Sequence, residues 1–416
     1  MSDRSHTVGT NQHPRQWRFA PAVWRGGRHV SRRQIDLLLR ARSAAAIPGG
    51  AHRFVAMGIP SEIVEQTLRR VRSLDGWSDA WTWTAQRFLG EARQREGAGH
   101  DREAASSRRE AALAYHAATV WTQDDVKKTR ALRSTSVMLF AQATPVILPD
   151  AVRVDVRWRT RTLPGYLLRP TGVQRPALVV LLNGVTNAKE ELVAWSDNFL
   201  ARGIGVLALD WPGTGELDGL RPEGNTPCDD LTDGIFETAG AHGFDVDRIG
   251  LAGLGIGGAL AVHIAAADRR VAACVAICPP FDATVWAAAI HPLMRRQLVW
   301  SGPDGNADEL AAGYALPDVV PRMRAPVLVF GGGRDMVVPP GEAIRLASAA
   351  GAQGTLVWFP DGQHGLYGHI DAWTDDAARW LVEILGPHTN PDSTRVEFLP
   401  VTEQSVVARH SHGTRT

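Results

Sequence analysis

The chain has 416 residues and is 44% hydrophobic, which suffices for the core of one large domain or of two smaller ones. Its 45 Lys and Arg residues nearly balance its 44 Asp and Glu residues, so the net charge gives no reason to expect binding to nucleic acid or to an anionic membrane. The first twenty residues contain no apolar signal segment and no apolar run is long enough to span a membrane, so a cytoplasmic location is expected.

The N-terminal part of the chain has helical periodicity. Residues 1–29 are polar and aperiodic and are interpreted as a flexible tail, as are residues 388–416. Residues 30–148 contain no clear strand and predict a helical domain, in which Trp77 and Trp81 lie about one turn apart and are expected to pack in the interior. The predicted helices are Ser31–Arg42, Pro60–Val71, Trp77–Arg93 and Arg102–Trp121.

From residue 149 the pattern changes to short strands that alternate with helices. This alternation predicts an α/β domain over residues 149–387 with a doubly wound, mostly parallel sheet. Residues 279–323 are too long for a simple connection and predict a small, lid-like helical insertion. Three cysteines are too few for a disulfide framework, and Cys274 and Cys278 are expected to be reduced core residues. The predicted strands are Val152–Trp158, Thr162–Arg169, Ala177–Leu182, Ile204–Leu209, Ile249–Ala252, Val271–Ile277, Val327–Phe330 and Leu356–Phe359. The helices after Leu182 are predicted at Glu190–Arg202, Asp229–His242, Gly257–Ala267, Gly341–Ala350 and Asp371–Leu385.

Residues 248–262 predict a buried strand, a sharp turn and a helix of small residues. This order is typical of the G-x-S-x-G turn that carries the nucleophilic serine of many hydrolases. Gly253 and Gly257 occupy the outer positions of the turn, but its central position is Gly255. The segment therefore predicts a hydrolase-like site without a serine alkoxide.

The same segment also satisfies the dinucleotide-binding pattern G-x-G-x-x-G, which would predict an oxidoreductase. That pattern normally follows the first strand of its sheet, whereas several predicted strands precede Gly253. The next strand ends in Ile277-Cys278-Pro279-Pro280 and lacks the acidic residue that binds the ribose of the cofactor. Glycines that only allow tight packing between strand and helix are a further alternative.

Two loops downstream of this turn carry an acid and a base. Asp335 follows the predicted strand Val327–Phe330, and His364 follows the predicted strand Leu356–Phe359. Each residue alone is typical of a turn or a surface loop. In chain order after the Gly255 turn, however, they match the acid and the base of a hydrolase triad. We therefore predict that Asp335 and His364 face each other across the site.

The loop Asn183–Glu190 follows the predicted strand Ala177–Leu182 and is placed to complete an oxyanion hole. We expect the backbone N–H groups of Ile256 and Val185, with Gly184 beside them, to bind a developing oxyanion. The candidate pocket residues are Thr186, Trp211 and Trp286. For the loop Asp210–Glu216, which contains Trp211, a simple turn is an equally acceptable interpretation.

These motifs together resemble a subgroup of α/β hydrolases that have an N-terminal helical domain. The subgroup includes 2,6-dihydroxypseudooxynicotine hydrolase, fungal polyketide-shortening hydrolases and fermentation-respiration-switch-like esterases. The resemblance covers roughly residues 30–385 and implies an α/β-hydrolase fold with a site between the helical domain and the sheet. The residues that carry it are Asn183–Glu191, Leu209–Glu216, Ile249–Gly258, Gly331–Pro339 and Asp361–His364.

The chain departs from the family pattern at two positions. Gly255 stands where the family has its serine, so the family's acyl-enzyme mechanism does not carry over. Thr186 matches the position of an additional functional glutamate in the pseudooxynicotine enzyme. The fold and the location of the site are the parts of the resemblance that carry over to this chain.

Three functional hypotheses remain. The first is a hydrolase or lyase that cleaves a small carbonyl compound, of the kind found in secondary metabolism, with His364, Asp335 and an oxyanion hole but no covalent intermediate. The second is a slow esterase that uses direct attack by water. The third is a non-catalytic binding protein, which the retention of both the acid and the base disfavours.

No metal and no organic cofactor are expected. His364 and His369 are not spaced like metal ligands, and His116, His263 and His291 lie on helical patterns that favour a structural role. We expect a small-molecule substrate, no nucleic-acid or membrane partner, and leave a homodimer open.

Overall fold

The computed structural model describes residues 31–41, 50–122, 125–218, 220, 231–299, 307–386 and 407–408. Both predicted tails, 1–29 and 388–416, lie outside the described residues, except for residues 407 and 408. No helix among the described residues is long and apolar enough to cross a membrane.

Six helices precede the first strand in the part of the chain that the structure describes. Ser31 begins the first one with a capping box, in which its side chain accepts from the Gln34 N–H and the Gln34 side chain accepts in return. The second helix is only five residues long, too short to produce a periodic sequence pattern, and it was not predicted. The helices are α1 (Arg32–Arg40), α2 (His52–Ala56), α3 (Ser61–Arg70), α4 (Trp77–Gly97), α5 (Asp101–Ala118) and α6 (Val126–Ile147).

The sheet confirms the predicted doubly wound, mostly parallel arrangement. Its strands are β1 (Ala151–Trp158), β2 (Arg161–Leu168), β3 (Ala177–Leu182), β4 (Ile204–Leu209), β5 (Ile249–Leu254), β6 (Val271–Ile277), β7 (Val327–Gly332), β8 (Gly354–Phe359) and the two-residue β9 (Val407–Ala408). They lie in the order β1-β2-β4-β3-β5-β6-β7-β8-β9, and only the β1–β2 and β2–β4 pairs are antiparallel. Every residue of β3, β4, β5 and β7 is buried, as expected of strands covered on both faces.

Helices connect the parallel strands. They are α7 (Lys189–Leu192), α8 (Asp197–Leu200), α9 (Leu231–Ala241), α10 (Ile256–Ala267), α11 (Ala283–Ala289), α12 (Pro292–Val299), α13 (Ala307–Gly313), α14 (Pro340–Ala349) and α15 (Ile370–Leu385). The single helix predicted at residues 190–202 is instead divided into α7, a 3-10 turn at Val193–Trp195 and α8. Helices α11 to α13 all belong to the predicted insertion at residues 279–323.

Two hydrophobic cores cover the two faces of the sheet. One combines the N-terminal helices with α15 and with one face of strands β3, β4 and β6. The other contains α9, α10, α14 and the insertion. Trp77 and Trp81 are fully buried and lie 5.7 and 4.7 Å from the Phe54 ring, which confirms their predicted packing role. The N-terminal helices therefore share a core with the sheet.

Candidate active site

The sharp turn between β5 and α10 has Gly255 at its apex. Gly255 adopts φ +56° and ψ −120°, a conformation that strains any residue with a Cβ atom, and its N–H donates to the Ile277 carbonyl at 2.8 Å. The turn thus has the strained strand-to-helix geometry of the hydrolase nucleophile turn.

Packing requires glycine at the two outer positions of this turn but not at its apex. A Cβ atom on Gly253 would lie 2.0 Å from the Gly257 carbonyl oxygen, and one on Gly257 would lie 2.3 Å from the Asn183 carbonyl oxygen. A Cβ atom on Gly255 would meet only His364, at 3.4 Å from Nε2 and 3.5 Å from Cε1. The first two distances exclude a side chain, whereas the third leaves the space beside the imidazole open.

His364 and Asp335 form the predicted pair. His364 Nδ1 lies 2.8 Å from Asp335 Oδ2, and the other oxygen of this buried carboxylate accepts from the N–H groups of Val337 and Val338, at 2.8 Å each. Because the carboxylate accepts the proton on Nδ1, the lone pair is on Nε2, the nitrogen beside Gly255. The geometry holds His364 in the tautomer that a general base requires.

Cys278 lies beside the His364–Asp335 pair, whereas the sequence predicted only that it would be a reduced core residue. The residue directly follows β6, has φ +47° and is 2% exposed. Its sulfur, an Asp335 oxygen and a His364 nitrogen lie within 4.8 Å of one another, the one such group of potential metal ligands among the described residues. Burial raises the pKa of the thiol well above its ordinary value, so the protonated thiol donates a hydrogen bond to Asp335.

The two residues whose backbone amides are predicted to bind an oxyanion lie beside the same space. Val185 follows Gly184 in the loop after β3, and Ile256 begins α10; all three residues line the cavity described below. In the described parts of the chain, the N–H groups of Val185 and Ile256 have no acceptor. Backbone donors without an acceptor beside a cavity are suited to a negatively charged oxygen.

A partly open cavity, with about 800 Å³ of empty space that includes open solvent, lies above the turn and the His364–Asp335 pair. Its walls come from the N-terminal helices, the ends of the central strands and the insertion. Thr186 and Trp286 line it as predicted, and the Trp286 indole N–H donates to the Val337 carbonyl at 2.7 Å, which ties α11 to the loop that carries Asp335. Apolar and aromatic lining residues are Phe54, Trp77, Val120, Trp121, Trp286, Ile290, Met294, Val337 and Val338.

The prediction that Trp211 lines the pocket is wrong. Trp211 is 4% exposed, does not line the cavity, and its indole N–H donates to the Asn183 carbonyl at 2.9 Å. The loop Asp210–Glu216 is structural: the Asp210 carboxylate accepts from the Lys189 ammonium at 3.0 Å and from the Glu216 N–H at 2.9 Å. Trp211 therefore holds the start of the loop Asn183–Glu190, called here the oxyanion loop because it is predicted to bind an oxyanion, and does not line the cavity.

Arg53 is a cavity residue that the sequence did not reveal. It lies on the short helix α2, and its guanidinium donates to the Thr186 hydroxyl and to the Thr186 carbonyl, both at 2.8 Å. Glu191 lies 3.5 Å from the guanidinium and 3.1 Å from His116. The helical region thus contacts the oxyanion loop directly through a buried charge network.

Comparison with known proteins shows which families the chain resembles. Residues 192–388 match the sequence model of the prolyl oligopeptidase family. The chain is 26% identical over 316 residues to 2,6-dihydropseudooxynicotine hydrolase of Paenarthrobacter nicotinovorans, a match that covers 74% of this chain and 84% of that protein. Over these lengths the chain is similar to proteins named as α/β hydrolases. A fungal protein, the alpha/beta hydrolase xenA of Xenoacremonium sinensis, is 29% identical over 58% of this chain and 60% of its own length.

Solved α/β-hydrolase structures share the fold. The crystal structure of 2,6-dihydroxy-pseudo-oxynicotine hydrolase superposes with a TM-score of 0.70 at 24% identity, over 80% of this chain and 95% of that one. AbyA5 superposes with a TM-score of 0.59 at 21% identity, over 77% of this chain and 93% of that one. These likenesses confirm the predicted fold with its helical N-terminal region. The chain is an α/β-hydrolase-type enzyme related to proteins that are named as hydrolases.

Proposed function

We propose that this enzyme cleaves a small carbonyl compound by a non-covalent hydrolytic or eliminative mechanism, with His364 as the general base. The observation that carries the proposal is the open space between His364 Nε2 and Gly255, where a nucleophile would otherwise be attached. Retention of Asp335 at 2.8 Å from the imidazole supports a working base, since that contact sets the tautomer. The cytoplasmic location and the small-molecule partner belong to the same proposal.

The chemistry needs only a base and an oxyanion site. In hydrolysis, His364 Nε2 takes a proton from water as the water oxygen attacks the carbonyl carbon, and the resulting oxyanion lies against the N–H groups of Val185 and Ile256. The tetrahedral intermediate then collapses, and the imidazolium returns the proton to the leaving carbon or oxygen. In elimination, Nε2 takes the proton α to the carbonyl, the amides bind the enolate oxygen, and the β-substituent departs with its electron pair.

The walls of the cavity indicate the shape of the substrate. Three tryptophans and one phenylalanine line it, which favours a flat, largely apolar molecule with few polar groups. One relative supports this proposal, because the name 2,6-dihydropseudooxynicotine hydrolase states a small molecule as the substrate of that protein. We propose that residues 30–148 and the insertion 279–323 form the domain and the lid that close over this substrate.

Restoring the missing nucleophile tests the mechanism. The wild-type protein should remain unlabelled by a fluorophosphonate probe, whereas Gly255→Ser should be labelled, because its Cβ would lie 3.4 Å from His364 Nε2. Turnover of 1-phenylbutane-1,3-dione and of p-nitrophenyl acetate would be followed in parallel by intact-protein mass spectrometry. We expect acyl-enzyme only in Gly255→Ser, and turnover by the wild type without any covalent adduct.

Two results would contradict the proposal. Stoichiometric labelling of the wild type would place a nucleophile elsewhere in the site. Binding of carbonyl probes without turnover across the neutral pH range would instead make the protein a binding member of its superfamily. The double variant Gly255→Ser with His364→Gln is the matched control, since it has the hydroxyl but not the base that activates it.

A further inference from the structure

We infer that Thr186 and Arg53 form a charge-assisted hydrogen-bond donor that selects substrates with a second acceptor oxygen near the reacting carbonyl. The inference rests on the proposed function, because it places the reacting carbonyl at the N–H groups of Val185 and Ile256. Thr186 is then a specificity-determining residue and Arg53 a positioning residue contributed by the helical region.

The direction of the hydrogen bond follows from the chemistry of the two groups. A guanidinium can only donate, so Arg53 Nη1, at 2.8 Å from Thr186 Oγ1, occupies a lone pair of the hydroxyl. The hydroxyl proton therefore points elsewhere. Among the residues that the structure describes, no acceptor lies within hydrogen-bonding distance of it, and Thr186 lines the cavity. The proton is thus available to a ligand.

The guanidinium makes this hydroxyl a better donor than an ordinary threonine. Arg53 is 7% exposed, and its second nitrogen is held between the Thr186 carbonyl and Glu191, so its position is fixed. A cation that withdraws electron density from the oxygen strengthens donation by its proton, and the effect is larger where water is excluded. The donor is therefore preformed before a ligand binds.

The position of the donor defines the ligand chemistry. Thr186 directly follows Val185, and both residues line the cavity, so the hydroxyl and the amide proposed to bind the first oxygen are placed to contact neighbouring groups of one ligand. A ligand with two oxygens on carbons separated by a single carbon can reach both donors. The chemical class is a β-oxygenated carbonyl compound, in which the second oxygen is a ketone or an enol.

The experiment compares two ketones that differ only in the second oxygen. Binding of 1-phenylbutane-1,3-dione and of 1-phenylbutan-1-one would be measured by quenching of the cavity tryptophans. The His364→Gln background prevents turnover during the titration. We expect the diketone to bind up to about tenfold more tightly than the monoketone, since this is the usual net effect of one added hydrogen bond on affinity.

Two variants isolate the hydroxyl. Thr186→Val keeps the shape but lacks the donor, so it should reduce the affinity for the diketone to that for the monoketone and leave the latter unchanged. Thr186→Ser retains the hydroxyl and should retain the preference. A preference that survives in Thr186→Val, or equal affinity of both ketones for the Thr186 protein, would overturn the inference, as would failure of the diketone to bind. Because the readout is binding, these results are independent of whether His364 is the base.

Discussion

Two of the histidine–carboxylate pairs among the described residues, His364–Asp335 and His116–Glu191, differ in what lies beyond the imidazole. His364 Nδ1 lies 2.8 Å from Asp335, and its other nitrogen faces the cavity. His116 Nε2 lies 3.1 Å from Glu191, but its other nitrogen contacts the Arg133 guanidinium, and the side chain is fully buried. We therefore propose that an imidazole beside a carboxylate acts as a base in the first pair and as a structural link in the second, because the second nitrogen of His364 faces the cavity whereas that of His116 contacts Arg133.

The charges around the two pairs reinforce this difference. Burial and the Arg133 guanidinium lower the pKa of His116 to about 4, so the ring is neutral near pH 7. It then accepts from Arg133 and donates to Glu191, whose pKa is lowered by the Arg53 guanidinium in spite of burial. This network joins the N-terminal helices to α7, next to the oxyanion loop. The network holds the N-terminal helices against α7, and His116 does not change its protonation state near neutral pH.

The largest expected difference between the pairs is in turnover. His364→Gln should reduce kcat on 1-phenylbutane-1,3-dione about 10²- to 10⁴-fold, the usual contribution of a positioned general base. The thermal unfolding midpoint should change little, because the imidazole is partly exposed and lies at the cavity. His116→Gln, the matched control, should retain kcat within a few fold. Equal activity of His364→Gln and the wild type would show that the base is another residue.

Sequence reasoning located His364 better than it located the network of His116. The loops that carry the acid and the base follow strands whose limits are visible as short apolar runs, and three strands, including Ala177–Leu182, were predicted to the residue. The carboxyl ends of parallel strands meet at one edge of the sheet, so chain order alone brings Asp335, His364 and the Gly255 turn together.

The contacts of the helical region could not be predicted in this way. Arg53 lies on a helix of five residues that shows no periodicity, and it meets Thr186 across 133 positions of sequence. Trp211 was misplaced for a related reason, since an aromatic residue at a strand end can face either the cavity or the layer below it. Only packing in three dimensions decides between these alternatives.

A smaller effect is expected on the pH dependence of stability. The pKa of His116 falls from its ordinary value of 6.5 to about 4 on folding, so the unfolded chain binds the proton more readily between these values. The free energy of unfolding should therefore decrease as the pH falls from 6.5 to 4, by about 3 kcal/mol from this group. Urea unfolding at a series of pH values measures the slope.

His116→Gln tests the assignment of that slope. The carboxamide can donate to Glu191 and accept from Arg133 but does not titrate, so this variant should lose the His116 part of the slope in that window. The buried His263, whose pKa burial also lowers, contributes equally to both proteins and cancels in the difference. Parallel pH profiles of the variant and the wild type would contradict a neutral His116 in the folded protein.

The smallest predicted effect concerns Cys278, whose thiol lies beside Asp335 and His364. Its thiol donates to the Asp335 carboxylate that orients His364, so Cys278→Ala should lower kcat by about tenfold through a less well-held imidazole. Cys278→Ser keeps a donor and should restore most of the activity, which a loss of packing alone would not allow.

The pH profile of kcat/KM provides the second readout. Without the thiol, the carboxylate loses a competing donor and interacts more strongly with the imidazolium, so the acidic limb of the profile should move to higher pH in Cys278→Ala and stay near its wild-type position in Cys278→Ser. Equal kcat and equal profiles in all three proteins would show that Cys278 only fills space.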